Sequence, residues 1–196
     1  MGKIIAEFTM SLDGFIAEPD DNIKQLLSWY FNGDVDIPTA GGAMVLKVSH
    51  ASAGLVRERF QTTGALVTGR RDFDVSHAWG GNPPYDVPAF IVTHKAPQEW
   101  LKQGSPFTFV TDGVESAIKQ ARNIAGEKNV VVGGSKIVQQ CLQAGLLDEI
   151  RIDLAPILLC TGIRLFEHLG TTPIELERLA TEEGTDITHL RFRVLK

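Results

Sequence analysis

Residues that suit phosphate binding directly follow three apolar runs of the sequence. They are Gly69-Arg70-Arg71 after LVT, Thr93-His94-Lys95 after FIV, and Gly133-Gly134-Ser135-Lys136 after VVV. Glycines let an anion approach the backbone, and hydroxyl and cationic groups donate hydrogen bonds to phosphate oxygens. Any one of these segments is more often a plain turn with solvated charges. Three of them at corresponding positions favour a ligand with several phosphates, such as a dinucleotide.

The three turns come together if the apolar runs before them are parallel strands of one sheet. Strand-like segments alternate with helical patterns, which is typical of β-α-β units. We predict strands at 4–10, 65–68, 89–93, 107–110, 130–132, 149–156, 174–181 and 189–195. We predict helices at 23–31, 49–62, 98–103, 114–125 and 135–144. The carboxyl ends of parallel strands share one edge of a sheet, so the turns would form one binding edge.

The end of the chain departs from this alternation. The last two predicted strands are joined through EEGTD without a helix, so at least one of them runs antiparallel. Asp112 and Glu115 have the spacing of a capping pair for the helix at 114–125. Residues 32–48 and 80–88 are predicted to be long irregular loops, which are often functional. The 196 residues together fit a single α/β domain.

Composition argues against several classes of protein. Nineteen basic and 24 acidic residues give a net charge of −5, which disfavours a nucleic-acid surface. We see no apolar run of transmembrane length and no signal-peptide cleavage pattern in MGKIIAEFTM, so no membrane partner is expected. The two cysteines, Cys141 and Cys160, suggest no disulfide framework. A cytoplasmic protein is the resulting expectation.

Several well-known catalytic motifs are missing from the sequence. The segment GGSK lacks the spacing of a Walker A loop, and Gly133-Gly134-Ser135 breaks the G-x-G-x-x-G pattern of standard dinucleotide-binding folds. HExxH, paired Cys/His spacings and G-x-S-x-G are also absent. Phosphoryl transfer by a P-loop, metal-dependent chemistry and serine hydrolysis are therefore disfavoured.

Ordered motifs along nearly the whole chain resemble a known family. They are SLDGFIA (11–17), GALVTGRRDFD (64–74), WGGNPP (79–84), FIVTH (90–94), FTFVTDGVESAIKQA (107–121), VVVGGSKIVQQCLQAGLLDEI (130–150), APILLCTGIRLF (155–166) and THLRF (188–192). Their order and spacing resemble the dihydrofolate reductase-like fold. More narrowly, the chain is similar to bacterial proteins related to the C-terminal reductase domain of the bifunctional riboflavin-biosynthesis deaminase/reductase. The expected architecture is three-layer αβα, with a mostly parallel central sheet and an antiparallel C-terminal strand or hairpin.

The resemblance implies that the chain binds NADPH. It places the phosphates against the three turns, with Thr93 and His94 beside the adenosine 2′-phosphate and the pyrophosphate at Gly133–Lys136. It also implies that further residues flank or cover the nicotinamide. The implied cofactor-binding residues are Thr9, Leu12, Ile16, Gly69, Arg70, Arg71, Thr93, His94, Gly133, Gly134, Ser135, Lys136, Thr161 and Gly162.

The resemblance further implies a reductase that transfers a hydride to a small heterocycle of the pterin, aminopyrimidine or flavin-precursor type. Reduction also needs a proton, for which Asp13 and His77 are the candidates. The residues expected to shape the substrate pocket are Phe15, Trp29, Met44 and Trp79. A non-catalytic nucleotide-binding or sensing module on the same fold is the alternative. The terminal strands are expected to pair subunits in a homodimer.

Overall fold

The computed structural model of the protein describes residues 2–39 and 44–196. Its strands are β1 (Ile4–Ser11), β2 (Phe15–Ala17), β3 (Val35–Pro38), β4 (Val45–Val48), β5 (Thr63–Gly69), β6 (Ala89–Val92), β7 (Phe107–Val110), β8 (Asn129–Val132), β9 (Glu149–Ala155), β10 (Ile163–Arg164), β11 (Leu176–Gly184) and β12 (Ile187–Val194). The α-helices are α1 (His50–Thr62), α2 (Arg70–Val75), α3 (Val114–Ala125) and α4 (Ser135–Gln143). Short 3-10 helices cover Leu26–Tyr30, His77–Gly81, Pro84–Asp86 and Gln98–Trp100.

An eight-stranded sheet runs through the centre of the molecule in the order β11-β12-β9-β1-β8-β5-β6-β7. The strands from β9 to β7 in that order are parallel, whereas β12 is antiparallel to β9 and to β11. The predicted mostly parallel sheet with an antiparallel C-terminal hairpin is therefore confirmed.

Helices cover both faces of this sheet because its central strands are apolar on both sides. In β8, Val130 and Val132 pack with α3 and α4, while Val131 points to the opposite face and packs with Phe73 of α2. A continuous apolar run is typical of a parallel strand buried on both faces. The expected three-layer architecture is confirmed.

Two neighbouring strands carry charged residues on one buried face. In β1, Ile4, Ala6 and Phe8 pack into the core below the sheet, so Glu7 alternates to the other face. Residues of β1 and β9 pair in parallel, with Thr9 opposite Asp153. The face of β1 and β9 that carries Glu7 and Asp153 is the one beneath α1, which determines the chemistry of the site described below.

The structure differs from the predicted elements in the region before α1. The helix expected at 23–31 is a 3-10 helix over Leu26–Tyr30, whose buried residues Leu26 and Trp29 have the three-residue spacing of that helix type. Residues 32–48 contain the antiparallel pair β3 and β4, in which alternate residues such as Leu46 and Val48 are buried. The middle of this predicted loop, residues 40–43, lies outside the described residues.

Two smaller predictions are corrected. Asp112 does not cap α3, because the N-cap residue is Gly113, with φ +102° and no side-chain hydrogen bond. The helix predicted at 98–103 is a short 3-10 helix over Gln98–Trp100. The segment after β1 turns at residues 12–14 and leads into the short strand β2, which pairs with β10. In the described part of the chain, no helix combines the length and apolarity needed to cross a bilayer. The homodimer stays a prediction, and the edge strand β11 is the surface where it would form.

The central strands should dominate the stability of the fold. Ile91 of β6 is fully buried, so Ile91→Ala should lower the free energy of unfolding by about 2–5 kcal/mol through lost burial and a residual cavity. Urea unfolding followed by circular dichroism measures this change. The same substitution at Ile124, which is 60% exposed on α3, should change the free energy by less than about 0.5 kcal/mol. Equal effects of the two substitutions would contradict the assignment of Ile91 to the core.

Candidate active site

A cleft of about 1260 Å³ lies at the carboxyl ends of β1, β8, β5 and β6. Open α/β sheets bind ligands at this edge. Most of the residues predicted to bind a cofactor line the cleft: Thr9, Ile16, Gly69, Arg70, Arg71, Thr93, His94, Gly133, Gly134, Ser135, Lys136 and Gly162. The structure does not bring the other two into the lining. Leu12 is exposed and its backbone N–H donates to Ile157, and Thr161 is exposed in the loop before β10.

The glycine turn, Gly133–Gly134, joins β8 to α4 and packs closely against Thr68 of β5 and Asp72 of α2. A Cβ atom on Gly133 would lie 3.1 Å from Thr68 Oγ1 and 3.3 Å from Asp72 Oδ2. Gly134 has φ +73°, a conformation that favours glycine. Close packing therefore favours glycine at position 133, and the backbone conformation favours it at position 134. The turn leaves the first N–H groups of α4 facing the cleft edge.

Cationic side chains of α2 and α4 line the same half of the cleft as the glycine turn. Arg70 Nε donates to Asp74 Oδ1 at 2.7 Å, and Arg71 Nη2 donates to Asp21 Oδ2 at 3.0 Å. Lys136, at the start of α4, is exposed and lines the cleft. The arginines are thus held in defined positions by carboxylates, and this half of the cleft can receive phosphate groups.

The floor of the other half is a buried ion cluster formed by Glu7, Arg59, Arg151 and Asp153. Arg59 reaches down from α1 and donates to both carboxylate oxygens of Asp153, each at 2.7 Å. Its Nε lies 3.3 Å from Glu7 Oε2, and Arg151 Nη1 lies 3.5 Å from the same oxygen. All four side chains are less than 10% exposed. Buried charges of both signs are therefore compensated within one cluster.

Glu7 and Asp153 are the members of the buried ion cluster that line the cleft. The Tyr85 hydroxyl donates to Glu7 Oε1 at 2.6 Å, but Glu7 Oε2 accepts no hydrogen bond from the described residues. Glu7 Oε2 is enclosed and faces Arg59 and Arg151 at ion-pair distance. The Glu7 carboxylate is therefore held between these arginines and the Tyr85 hydroxyl at the floor of the cleft.

The protonation states of the floor follow from its charges. Burial acts to raise the pKa of Asp153, but the charge and hydrogen bonds of Arg59, with the hydrogen bond to His189, outweigh it and hold the pKa below its ordinary value. Burial raises the pKa of the Tyr85 hydroxyl, and the nearby negative charge of Glu7 raises it further. At neutral pH, Asp153 is a carboxylate and Tyr85 keeps its proton.

His189 of β12 fixes the far side of the floor. Its Nδ1 is 2.6 Å from Asp153 Oδ1, and its Nε2 is 2.8 Å from the Ser52 hydroxyl on α1. The ring also makes an edge contact with Trp29, whose Nε1 donates to Thr9 Oγ1 at 3.1 Å. The C-terminal hairpin, α1 and β1 are thus connected through one set of polar contacts.

The wall above the floor has an unusual backbone. His77, Ala78 and Trp79 have φ values of +50°, +51° and +48°, and Tyr85 has φ +64°. Such values are uncommon for residues with a side chain and cluster at functional sites. This left-handed loop (77–86) brings Trp79 and Tyr85 to the cleft.

The four residues predicted to shape the substrate pocket do not lie together in the structure. Trp79 lines the cleft, as predicted. Trp29 is 2% exposed and packs behind the floor, and Phe15 is buried with the Arg164 guanidinium 4.3 Å above its ring. Met44 is exposed beside β4 and does not line the cleft, since the β3–β4 hairpin carries it elsewhere. Phe15 and Trp29 therefore support the site from behind, and Met44 takes no part in the cleft lining.

Asp13, the predicted proton donor, lies in the turn between β1 and β2. Its carboxylate accepts hydrogen bonds from the Ser11 hydroxyl at 2.5 Å and from the backbone N–H of Cys160 at 2.7 Å. These contacts lower the pKa of Asp13, the hydrogen bond from Ser11 most strongly. Neither Asp13 nor His77 lines the cleft. A role as proton donor does not fit this arrangement, in which Asp13 fixes the loop before β10.

Sequence reasoning missed the buried ion cluster. Its signal is present in part, since Glu7 interrupts the apolar run IIAEFTM, and Asp153 belongs to a strand, EIRIDLA, in which charged and apolar residues alternate. A charged residue in a buried strand is rare unless it is paired. The pairing partner, Arg59, comes from α1, and only the folded structure brings it to the strands.

Comparison with known proteins agrees with this description. The structure resembles a dihydrofolate reductase from Enterococcus faecalis complexed with NADP(H), with a TM-score of 0.59 and 15% identity over 100% of this chain and 98% of the other. The chain thus has the dihydrofolate reductase-like fold. The RibD C-terminal domain family matches residues 2–190, and the chain belongs to that family.

Two solved structures illustrate the family likeness. A protein from Shewanella sp. PV-4 with a suggested role in riboflavin biosynthesis has a TM-score of 0.77 and 22% identity, covering 99% of both chains. The Thermotoga maritima diaminohydroxyphosphoribosylaminopyrimidine deaminase/5-amino-6-(5-phosphoribosylamino)uracil reductase has a TM-score of 0.63 and 13% identity. That match covers 99% of this chain and 57% of the Thermotoga chain.

Removal of Arg59 should strongly destabilise the protein. Arg59→Leu leaves the carboxylates of Glu7 and Asp153 buried with less compensating charge, so the free energy of unfolding at pH 7 should fall by about 3–5 kcal/mol. Urea unfolding measures the change. The matched control is Arg57→Leu on the same helix, whose side chain is exposed and whose loss should cost less than about 0.5 kcal/mol. Similar losses in both variants would refute the structural role of the cluster.

The same pair of variants tests the charge state of Asp153. A carboxyl group with a lowered pKa in the folded state stabilises the protein above its unfolded pKa of about 3.9, and this stabilisation is lost as pH falls further. Wild-type and Arg57→Leu proteins should therefore lose stability steeply below about pH 4. In Arg59→Leu the acid-dependent loss should be smaller, because burial then favours the protonated form of Asp153. If the free energy of unfolding of Arg59→Leu falls as steeply with decreasing pH as that of the wild type, groups other than Asp153 dominate the loss of stability in acid.

Proposed function

We propose that the protein is an NADPH-dependent reductase that transfers a hydride to a small heterocyclic substrate. The observation that carries this proposal is the single cleft in which a phosphate-binding half and a polar, carboxylate-containing half adjoin. Membership of the RibD C-terminal domain family and the reductases among its structural neighbours support the coarser statement, a reductase of the riboflavin-pathway type.

The residues of the first half fit a dinucleotide. The glycine turn and the first N–H groups of α4 suit the pyrophosphate, with Lys136 as a cation beside it. Thr93 and His94 lie at the end of β6, where the adenosine 2′-phosphate is expected, and Arg70 lies close by, with its Nη1 donating to the Lys95 carbonyl at 3.1 Å. NADP(H) in the Enterococcus faecalis reductase of the same fold supports this choice.

The residues of the second half fit a polar, planar substrate. When bound, NADPH supplies the hydride, and the protein needs to place the acceptor carbon within reach and to exclude water. Trp79 forms an apolar wall, while Glu7 and Asp153 contribute carboxylates to the cleft lining that suit substrate N–H groups. Asp153 and Tyr85 hold their protonation states too firmly to donate a proton readily. We assign to Glu7 the task of holding the water or substrate N–H through which the proton arrives.

The first experiment is a titration of the purified protein with NADPH and NADH, followed by nicotinamide fluorescence. NADPH should bind more tightly than NADH, and Lys136→Gln should weaken NADPH binding by about 10- to 100-fold, since a charge-assisted hydrogen bond is worth about 1.5–3 kcal/mol. The matched control is Lys119→Gln on α3, an exposed lysine outside the cleft lining, which should bind as the wild type does.

The outcomes separate the reductase from the alternative. Binding of NADPH, together with its oxidation in the presence of a pterin, an aminopyrimidine or a flavin precursor, supports the reductase. Binding without oxidation by any heterocycle supports the non-catalytic nucleotide-binding module. Equal weakening by Lys136→Gln and Lys119→Gln would contradict the placement of the pyrophosphate at α4, and no binding of either nucleotide would refute the proposed function.

A further inference from the structure

A carboxylate already occupies the position beside the glycine turn. Asp72, in the first turn of α2, is partly buried and lines the cleft. Its Oδ2 accepts a hydrogen bond from Thr68 Oγ1 at 2.7 Å and lies 3.3 Å from the position of a Cβ on Gly133. A phosphate at the glycine turn would therefore meet a negatively charged neighbour.

No cation compensates Asp72 within the described residues. The nearest arginines of α2 are engaged elsewhere, Arg71 with Asp21 and Arg70 with Asp74, and Lys136 of α4 makes no ion pair with it. Asp21, in the loop after β2, is paired with Arg71, and its negative charge also acts on Asp72. Asp72 thus lies beside the glycine turn without a cation partner among the described residues.

These surroundings favour the neutral form of the carboxyl group. Burial raises the pKa of Asp72, the hydrogen bond from Thr68 acts in the opposite direction, and the charge of Asp21 raises the pKa further. A bound phosphate would add negative charge at close range and raise the pKa again. Protonation also turns the group from an acceptor into a hydrogen-bond donor, which is what a phosphate oxygen requires.

We infer that Asp72 is a proton-linked phosphate-binding residue: the cleft takes up a proton with the pyrophosphate of the nucleotide, and the carboxylic acid of Asp72 donates its O–H to a phosphate oxygen. This inference rests on the proposed nucleotide site. The proton comes from solvent and returns to it when the nucleotide leaves, and no covalent bond to the phosphate forms or breaks.

The inference fixes the sign of a pH dependence. A group that is more protonated in the complex than in the free protein makes affinity rise as pH falls. Between the pKa of Asp72 in the free protein and its pKa in the complex, nucleotide affinity should fall by up to about tenfold for each unit of rising pH. Above the pKa of Asp72 in the complex, the carboxyl group stays negatively charged when the nucleotide binds, and nucleotide affinity is at its lowest.

Calorimetric titration with NADP⁺ tests the linkage, because titrations in two buffers of different ionisation enthalpy count the protons taken up. Asp72→Asn keeps the shape but cannot ionise, so it should take up fewer protons than the wild type, by up to about one, and bind at least as tightly at pH 8. Protons taken up by the 2′-phosphate or by groups other than Asp72 are common to both proteins and cancel. Asp36→Asn, an exposed residue of β3 outside the cleft, should match the wild type.

A second variant and a second probe cover the remaining outcomes. Asp72→Ser also removes the ionisable group and serves as the test variant if Asp72→Asn folds poorly. Once circular dichroism shows that Asp72→Ser is folded, it should show the same loss of proton uptake. Adenosine diphosphate ribose carries the pyrophosphate without the nicotinamide, so its binding with Asp72-dependent proton uptake supports the inference even if no substrate is ever reduced. Equal proton uptake by wild type and both variants overturns the inference and leaves the reductase in place. If neither NADP⁺ nor adenosine diphosphate ribose binds to the wild-type protein, both the inference and the proposed function are overturned.

Discussion

The contact between Arg59 and Asp153 is the interaction on which the rest of the site depends. Arg59 belongs to α1, Asp153 to β9, and the same guanidinium approaches Glu7 of β1. His189 of β12 completes the arrangement from the C-terminal hairpin. An arginine that donates two parallel hydrogen bonds to a carboxylate has a defined orientation as well as a charge. This geometry fixes α1 against β12, β9 and β1, and with it the floor of the cleft.

The two halves of the cleft are built on different principles. The half with the glycine turn uses turns that directly follow strands, so its donors are backbone groups and side chains whose positions follow from the sheet edge. The other half uses side chains that project from strand interiors and need partners from distant segments. Tyr85, for example, reaches Glu7 from a loop that is far away in the sequence. The donors at the glycine turn are thus placed by the fold, whereas the floor of the other half depends on this chain's particular side chains.

That division explains how much could be predicted from the sequence. Gly133, Gly134 and Lys136 could be placed at the cleft edge because glycine and cationic residues directly after an apolar run point to a sheet edge. The mostly parallel sheet followed from the alternation of elements. Glu7 and Asp153 were missed because a charged residue in a strand is usually read as a solvent-facing position. Only the pairing of β1 with β9 and the descent of Arg59 from α1 reveal that both are buried. The β3–β4 hairpin was missed because its alternation spans only four residues on each side.

The left-handed loop has a consequence for how this protein family can diversify. Ala78, Trp79 and Tyr85 hold a backbone conformation that costs residues with a side chain free energy, and none of them belongs to a strand. Contacts outside the loop offset this cost. Ala78 is buried in the core, the Trp79 ring stacks on Phe107 of β7, and the Tyr85 hydroxyl donates to Glu7. This wall of the cleft can therefore vary in shape between those three positions, while the positions themselves stay tied to the sheet.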